Sequence, residues 1–202
     1  PFKQPETAAK AFVKGEVANT DEALQGARDI IAERVNENER SRQTVRRSFE
    51  CTGMIRSKVV KGKEAEAGKF RDYFDWSEPL KRCTSHRLLA MRRGEAEGYL
   101  RVSISPSDDD DCISRVERGY VKAGTPAAAQ VEMAIADAYK RLLKPSIETE
   151  FAGASKGKAD EEAIHVFANN LKQLLLAAPL GQKRIMGIDP GFRTGCKVVC
   201  LD

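Results

Sequence analysis

Aromatic side chains are scarce in this sequence. One tryptophan, four tyrosines and eight phenylalanines make up 6% of 202 residues, less than a β-rich core usually carries. Long apolar runs are missing as well: none approaches the roughly 20 residues of a membrane-spanning helix. The first ten residues, PFKQPETAAK, lack the apolar stretch of a secretory leader. The five cysteines (Cys51, Cys83, Cys112, Cys196 and Cys200) are odd in number, scattered and never spaced CxxC. That argues against a disulfide framework and a zinc site, and for a reducing, cytoplasmic setting. No cofactor is implied. No methionine opens the chain, and only the first hairpin of a second domain closes it, so the sequence reads as a fragment of a longer protein.

Charge is plentiful. Charged residues make up 32% of the chain against 41% hydrophobic, with a formal net charge of +4. Residues 1–106 hold 21 Lys/Arg against 16 Asp/Glu, and residues 107–202 hold 13 against 14. The basic excess concentrates in residues 36–71, ten against five, and in residues 81–101, six against two. Such clusters can meet a phosphate backbone without reading sequence, or can simply be solvated faces and helix ion pairs.

Helical periodicity dominates. A short helix is expected over residues 5–14. A longer one follows from Thr20, read as its cap, with Leu24, Ala27, Ile30, Ile31 and Val35 on one face. Residues 36–50 read as a third helix with a thin apolar side, Val45 and Phe49. From Thr52 the texture becomes that of a strand. Leu100, Val102 and Ile104 then alternate with polar residues in a second, half-buried strand. The two are expected to pair antiparallel. Between them, Phe70, Tyr73, Phe74 and Trp76 form the sequence's one aromatic cluster, either a local core or a base-stacking platform. Thr84 or Ser85 begins another helix, which Gly94 ends. Asp108 to Asp111 read as an N-cap with dipole-favoured charge rather than a calcium loop, since the loop's glycine and distal glutamate are missing. Thr125 and Pro126 start the next helix. Propensity breaks the following helical stretch near Gly153 and Gly157. Beyond it Ile164, Phe167, Leu171, Leu174 and Leu175 form an apolar stripe. The fold class expected is mainly α, a multi-helical domain (1–182) with a small antiparallel β pair, then a lone β-hairpin (183–202).

That hairpin, RIMGIDPGFRTGCKVVCLD from Arg184 to Asp202, reads as strand, turn, strand. Asp189 stands where the first strand meets the turn. It serves equally as a turn former and as one carboxylate ligand of a metal. Cys196 and Cys200 fall on one strand face and are expected to pack.

The stretch GIDPGFRTGCKV resembles the opening hairpin of the YqgF domain of the RNase H-like superfamily, in the version carried by the Tex family of S1-containing transcription accessory proteins. VVKGKEAEAGKFRDYFDWSEPLKRCTSHRLLAMRRGEAEGYLRVSI resembles the same family's central region, including the SHR…RGE…G..R order. The resemblance runs through essentially the whole chain. It implies a cytoplasmic nucleic-acid-binding protein of transcription, with RNA or DNA bound mainly by S1 and helix-hairpin-helix modules outside this sequence. RNA polymerase is a further partner it suggests. It also implies one long helix over residues 145–178, where propensity suggests two.

Within the chain, Arg42, Arg46, Arg47, Arg87, Arg92 and Arg93 are the candidate nucleic-acid contacts, by their clustering. Asp189 is the candidate metal residue, at most a vestigial ligand, because the carboxylates that would complete a two-metal site lie on strands beyond Asp202. No catalytic residue is assigned and the chain is not read as an enzyme. The alternatives are a part of a resolvase-like nuclease and a pure protein-interaction scaffold. Gly62-Lys63 is not a phosphate loop, because Ser57 and Glu64 stand where glycine and a hydroxyl residue are needed. His86 and His165 have no triad partners at hand.

Overall fold

The computed structural model describes residues 4–179, 181–191 and 195–202. It divides into two units, Pro1–Ala163 and Ile164–Asp202. The elements in chain order are α1 (Pro5–Ala9), α2 (Thr20–Glu37), α3 (Glu39–Thr52), β1 (Gly53–Val59), β2 (Asp75–Pro79), α4 (Ser85–Ala96), β3 (Leu100–Pro106), α5 (Asp109–Glu117), α6 (Ala128–Asp137), α7 (Lys144–Leu175), β4 (Ile185–Pro190) and β5 (Cys196–Leu201). The mainly helical class and the antiparallel pairing of β1 with β3 follow the sequence reading.

The N-terminal helices are set by asparagine caps. Asn19 is extended, and its side chain accepts the Glu22 N–H at 2.9 Å while Glu22 reaches back to the Ala18 N–H at 2.8 Å. Asn19, not Thr20, is therefore the cap, and Thr20 is the first helical residue. Asn38 is extended too and accepts the Ser41 N–H at 3.2 Å, so α2 and α3 meet at one non-helical residue.

The larger unit carries a three-stranded antiparallel sheet in the order β2-β1-β3. The third strand, β2, went unread because DWSEP is short, charged and ends in proline. Ile55 lies opposite Ile104, and both are fully buried among Phe49, Met91, Ile135 and Tyr139. Phe70 is buried, and Tyr73 and Trp76, whose rings meet edge-on at 6.0 Å, pack against that core. These three rings of the aromatic cluster are thus core.

α4 lies close on β3. Gly94 does not end it. The residue is buried within the helix, where a Cβ would stand 2.5 Å from Leu100 Cδ1. The stop comes at Gly98, whose φ of +75° suits glycine. Two carboxylates cap the exposed edge of β3: Glu95 accepts the Val102 N–H at 3.3 Å and Glu148 the Ile104 N–H at 2.8 Å.

Asp108 caps α5, accepting the Asp110 and Asp111 N–H groups at 2.9 and 3.1 Å. α6 begins at Ala128, two residues beyond Pro126. It continues without a break through a π-helical turn, Ala138–Leu143, into α7. The propensity break at Gly153 and Gly157 is overridden: α7 is one helix of 32 residues. Its first half is held by packing against the core, where its own Ile147 and Ala159 are buried.

In the smaller unit the apolar stripe of α7 is exposed, Phe167 by 66% and Leu174 by 74%, so it is not the packed stripe the periodicity suggests. β4 and β5 pair antiparallel, with Ile185 opposite Leu201 and Asp189 opposite Lys197. Every residue of both strands is exposed, Cys196 and Cys200 included. Two strands alone cannot cover either of their faces, which is why these cysteines do not pack. Leu180 and the turn tip, Phe192 to Thr194, lie outside the described residues.

Candidate nucleic-acid interface

The six candidate arginines fall into two helical sets. Arg42, Arg46 and Arg47 are on α3 and Arg87, Arg92 and Arg93 on α4. Their surroundings differ. Arg46 Nε lies 3.0 and 3.1 Å from the two oxygens of Glu150 on α7, and its NH1 donates to Glu39 at 3.3 Å. Arg87 forms a forked pair with Glu78 on β2, at 3.1 and 2.8 Å. Arg92 donates to Glu95 at 2.7 Å, the same carboxylate that caps β3. These three guanidiniums already have carboxylate partners.

Arg42 differs. It donates to Asn36 at 3.1 Å and to Ser146 at 2.9 Å, both neutral, so it is anchored while its charge stays uncompensated. Arg47 and Arg93 are exposed and form no ion pair among the described residues. Arg42, Arg47 and Arg93 therefore have the charge most available to an outside anion.

The Arg87–Glu78 pair belongs to a packed cluster. Arg87 stands 5.7 Å over the Trp76 ring, whose Nε1 donates to Glu78 at 3.1 Å. Burial works against the Glu78 carboxylate, but Cys83, Trp76 and Arg87 together outweigh it and hold its pKa below the usual value. Beside it the Cys83 thiol is pushed up to about 12, first by burial and then by Glu78, so it is an inert thiol. A second polar cluster joins α5 to α7. Asp109 accepts from the buried Tyr139 hydroxyl at 2.6 Å and from Lys144. Burial opposes its charge, yet Lys144 and Tyr139 keep Asp109 below the usual carboxylate range. Burial, then Asp109 itself, raises the Tyr139 hydroxyl. Both clusters tie elements together.

Asp189 lies on β4 and is exposed. Among the described residues no three His, Cys, Asp or Glu side chains converge as a metal site would require. His86 is exposed, 3.5 Å from Thr84 Oγ1, and His165 is exposed beside Asn169 at 3.1 Å.

Sequence reasoning singled out the helical arginines and missed the cations of the sheet. The pairing of β1 with β3 sets Lys58 directly opposite Arg101, one from each basic segment. The signal was available in the register of the two expected strands, once paired residue by residue.

With this α-helical frame and its small sheet in view, the family model described as Tex central region-like matches residues 1–167. The chain belongs to the Tex central region family. It is 38% identical to Protein tex of Bordetella pertussis, over the whole chain and 27% of that relative. It is 36% identical to the Transcriptional accessory protein Tex of Neisseria gonorrhoeae, over 98% of the chain and 27% of the relative. It is 31% identical to S1 RNA-binding domain-containing protein 1 of Homo sapiens, over 73% of the chain and 15% of the relative. The chain thus spans about a quarter of the length of the bacterial Tex relatives. The Tex match includes α3 to β3, the segment that carries both arginine sets and the sheet. No helix among the described residues is long and apolar enough to cross a membrane.

Proposed function

We propose that this chain is the helical scaffold of a nucleic-acid-binding transcription accessory protein. Its long helix and small sheet would set the spacing of binding modules carried elsewhere in the protein, and its own basic surface would add weak, sequence-independent contacts to phosphate. What carries the reading is the likeness to Tex proteins across essentially the whole chain, together with relatives named "Transcriptional accessory protein Tex" and "S1 RNA-binding domain-containing protein 1". The uncompensated charges of Arg42, Arg47 and Arg93 support the phosphate contacts. The five free cysteines support a reducing, cytoplasmic setting.

The hairpin from Arg184 to Asp202 is proposed as the start of an RNase H-like domain, on its motif. The proposed role of the chain is not enzymatic. Asp189 is one exposed carboxylate with Lys197 opposite it, whereas a two-metal site needs several carboxylates aimed at the same point.

The test is a fluorescence-polarisation titration of the purified chain with labelled RNA and DNA oligonucleotides. Binding in the range of about 10⁻⁴–10⁻⁶ M at physiological salt, weakening as salt rises, is expected. Arg47→Glu/Arg93→Glu should weaken it. Binding indifferent to salt and to these reversals would overturn the phosphate contacts.

A further inference from the structure

The outer face of the three-stranded sheet is built for a polyanion. Side chains alternate across a strand, so Met54, Arg56 and Lys58 of β1 point away from the core that takes Ile55 and Ser57. The register sets three rows on that outer face. Pro79, Met54 and Ser105 form the first, Ser77, Arg56 and Ser103 the second, and Asp75, Lys58 and Arg101 the third. Lys58, Arg101, Ser77 and Ser103 are exposed and Arg56 is half-buried.

Two features of this face are unfavourable to the chain on its own. Lys58 and Arg101 are directly opposed like charges, an arrangement that costs a sheet stability. Neither they nor Arg56 form an ion pair among the described residues. Arg56 donates instead to Ser105 Oγ at 2.5 Å, which props the guanidinium across the sheet without neutralising it. The acids within reach are few. Asp75 is the one carboxylate in the rows, and Asp109, which feels Arg56, is already held by Lys144 and Tyr139.

The three rows hold no aromatic, and Tyr73 and Trp76 pack on the core side. A single strand binds such a sheet mainly by stacking bases on rings, and these rows offer none. A duplex keeps its bases stacked inside and offers only backbone. Opposed cations about 5 Å apart at Cβ, with a third two residues along the strand, match the scale of neighbouring phosphates. The serine hydroxyls between them both donate and accept, as a ribose 2′-hydroxyl does.

We propose that this sheet face, through Arg56, Lys58 and Arg101 with Ser77 and Ser103, docks the backbone of an RNA duplex. The proposal rests on the nucleic-acid reading above and deepens it by assigning a different surface from the helical arginines.

The experiment titrates the whole chain against a labelled RNA duplex of about 16 base pairs. Matched DNA duplex and single-stranded RNA serve as competitors, and thermal unfolding is followed alongside. Lys58→Gln/Arg101→Gln should lose about tenfold in affinity per cation at about 0.1 M salt, and the slope of log K against log salt should shrink by about 2. Its Tm should hold or rise, because a repulsive pair is gone; a merely structural role would lower it. Arg34→Gln/Lys140→Gln, equal in charge and elsewhere on the surface, should change nothing. The inference alone is overturned if the sheet variant binds like the unaltered chain while Arg47→Gln/Arg93→Gln does not. It is also overturned if DNA duplex or single-stranded RNA competes as well as RNA duplex. No binding of any nucleic acid by the unaltered chain would overturn the broader reading with it.

Discussion

Replacing Gly94 by alanine should destabilise the larger unit, although the residue sits inside a helix. In an unobstructed helix the change gains about 1 kcal/mol, because alanine loses less backbone entropy than glycine. At Gly94 the new Cβ would meet Leu100 Cδ1 at 2.5 Å, Leu100 Cγ at 2.8 Å and Phe70 Cδ1 at 3.2 Å. Neither neighbour can retreat, since Leu100 is 2% exposed and Phe70 4%. Forcing a methyl group into such packing costs about 1–3 kcal/mol. The upper part of that range outweighs the helix gain, leaving a net loss of about 1–2 kcal/mol, or about 2–4 °C in Tm per kcal/mol for a unit of this size. Gly153 and Gly157 in α7 provide the contrast, because a Cβ there meets nothing within 4 Å. Alanine at either should therefore stabilise by about 1 kcal/mol. Thermal and urea unfolding of the three single variants measures both signs. A Gly94→Ala protein as stable as the unaltered chain would refute the close approach of α4 to β3.

Tyr139→Phe should cost about 1 kcal/mol in urea unfolding, since it removes the 2.6 Å bond to Asp109 without opening a cavity. Asp109, held below the usual carboxylate range, contributes stability that is complete at neutral pH and is lost as pH falls through its lowered value. Acid unfolding should thus be less steep in Asp109→Asn than in the unaltered chain, as followed by Tm between pH 7 and pH 2. Asp108→Ala should lose about 1 kcal/mol by removing the cap of α5, and Asp108→Asn should recover most of it in the same assay. Asp189→Asn should leave stability unchanged. Calorimetric titration should find no measurable magnesium binding by either form, because one carboxylate holds that ion poorly. Cleavage of branched DNA or of an RNA–DNA hybrid that is lost in the variant would instead establish a catalytic role.

Strong periodicity and cap chemistry made most of the helices and the β1–β3 pair legible from sequence. Alternation at Leu100, Val102 and Ile104 located β3, and four aspartates located the start of α5. What escaped was decided by neighbours distant in the chain. β2 is a strand because β1 supplies its hydrogen-bond partners, not because DWSEP favours extension. Gly94 reads locally as a stop, yet its missing Cβ serves packing against Leu100. The long helix survives two glycines because Ile147 and Ala159 are buried against other elements. The candidate arginines were legible as clusters but not in their individual states. Whether a guanidinium already has a carboxylate depends on Glu78 and Glu150, which lie 9 and 104 positions away.

The π-helical turn from Ala138 to Leu143 gives the chain slack at this joint. A π turn holds one residue more than the α-helix around it accommodates. Deleting a single residue there would let α6 run into α7 as ordinary helix with the residues beyond still facing as before. Ser146, Glu148 and Glu150 would keep Arg42, the Ile104 N–H and Arg46 as their partners. The same deletion in the plain helix of α6 has no surplus residue to give up, and would turn everything after it by about 100° about the axis. Two deletions alike in composition and hydropathy would thus differ completely: one is absorbed, and the other acts as a frameshift of the surface.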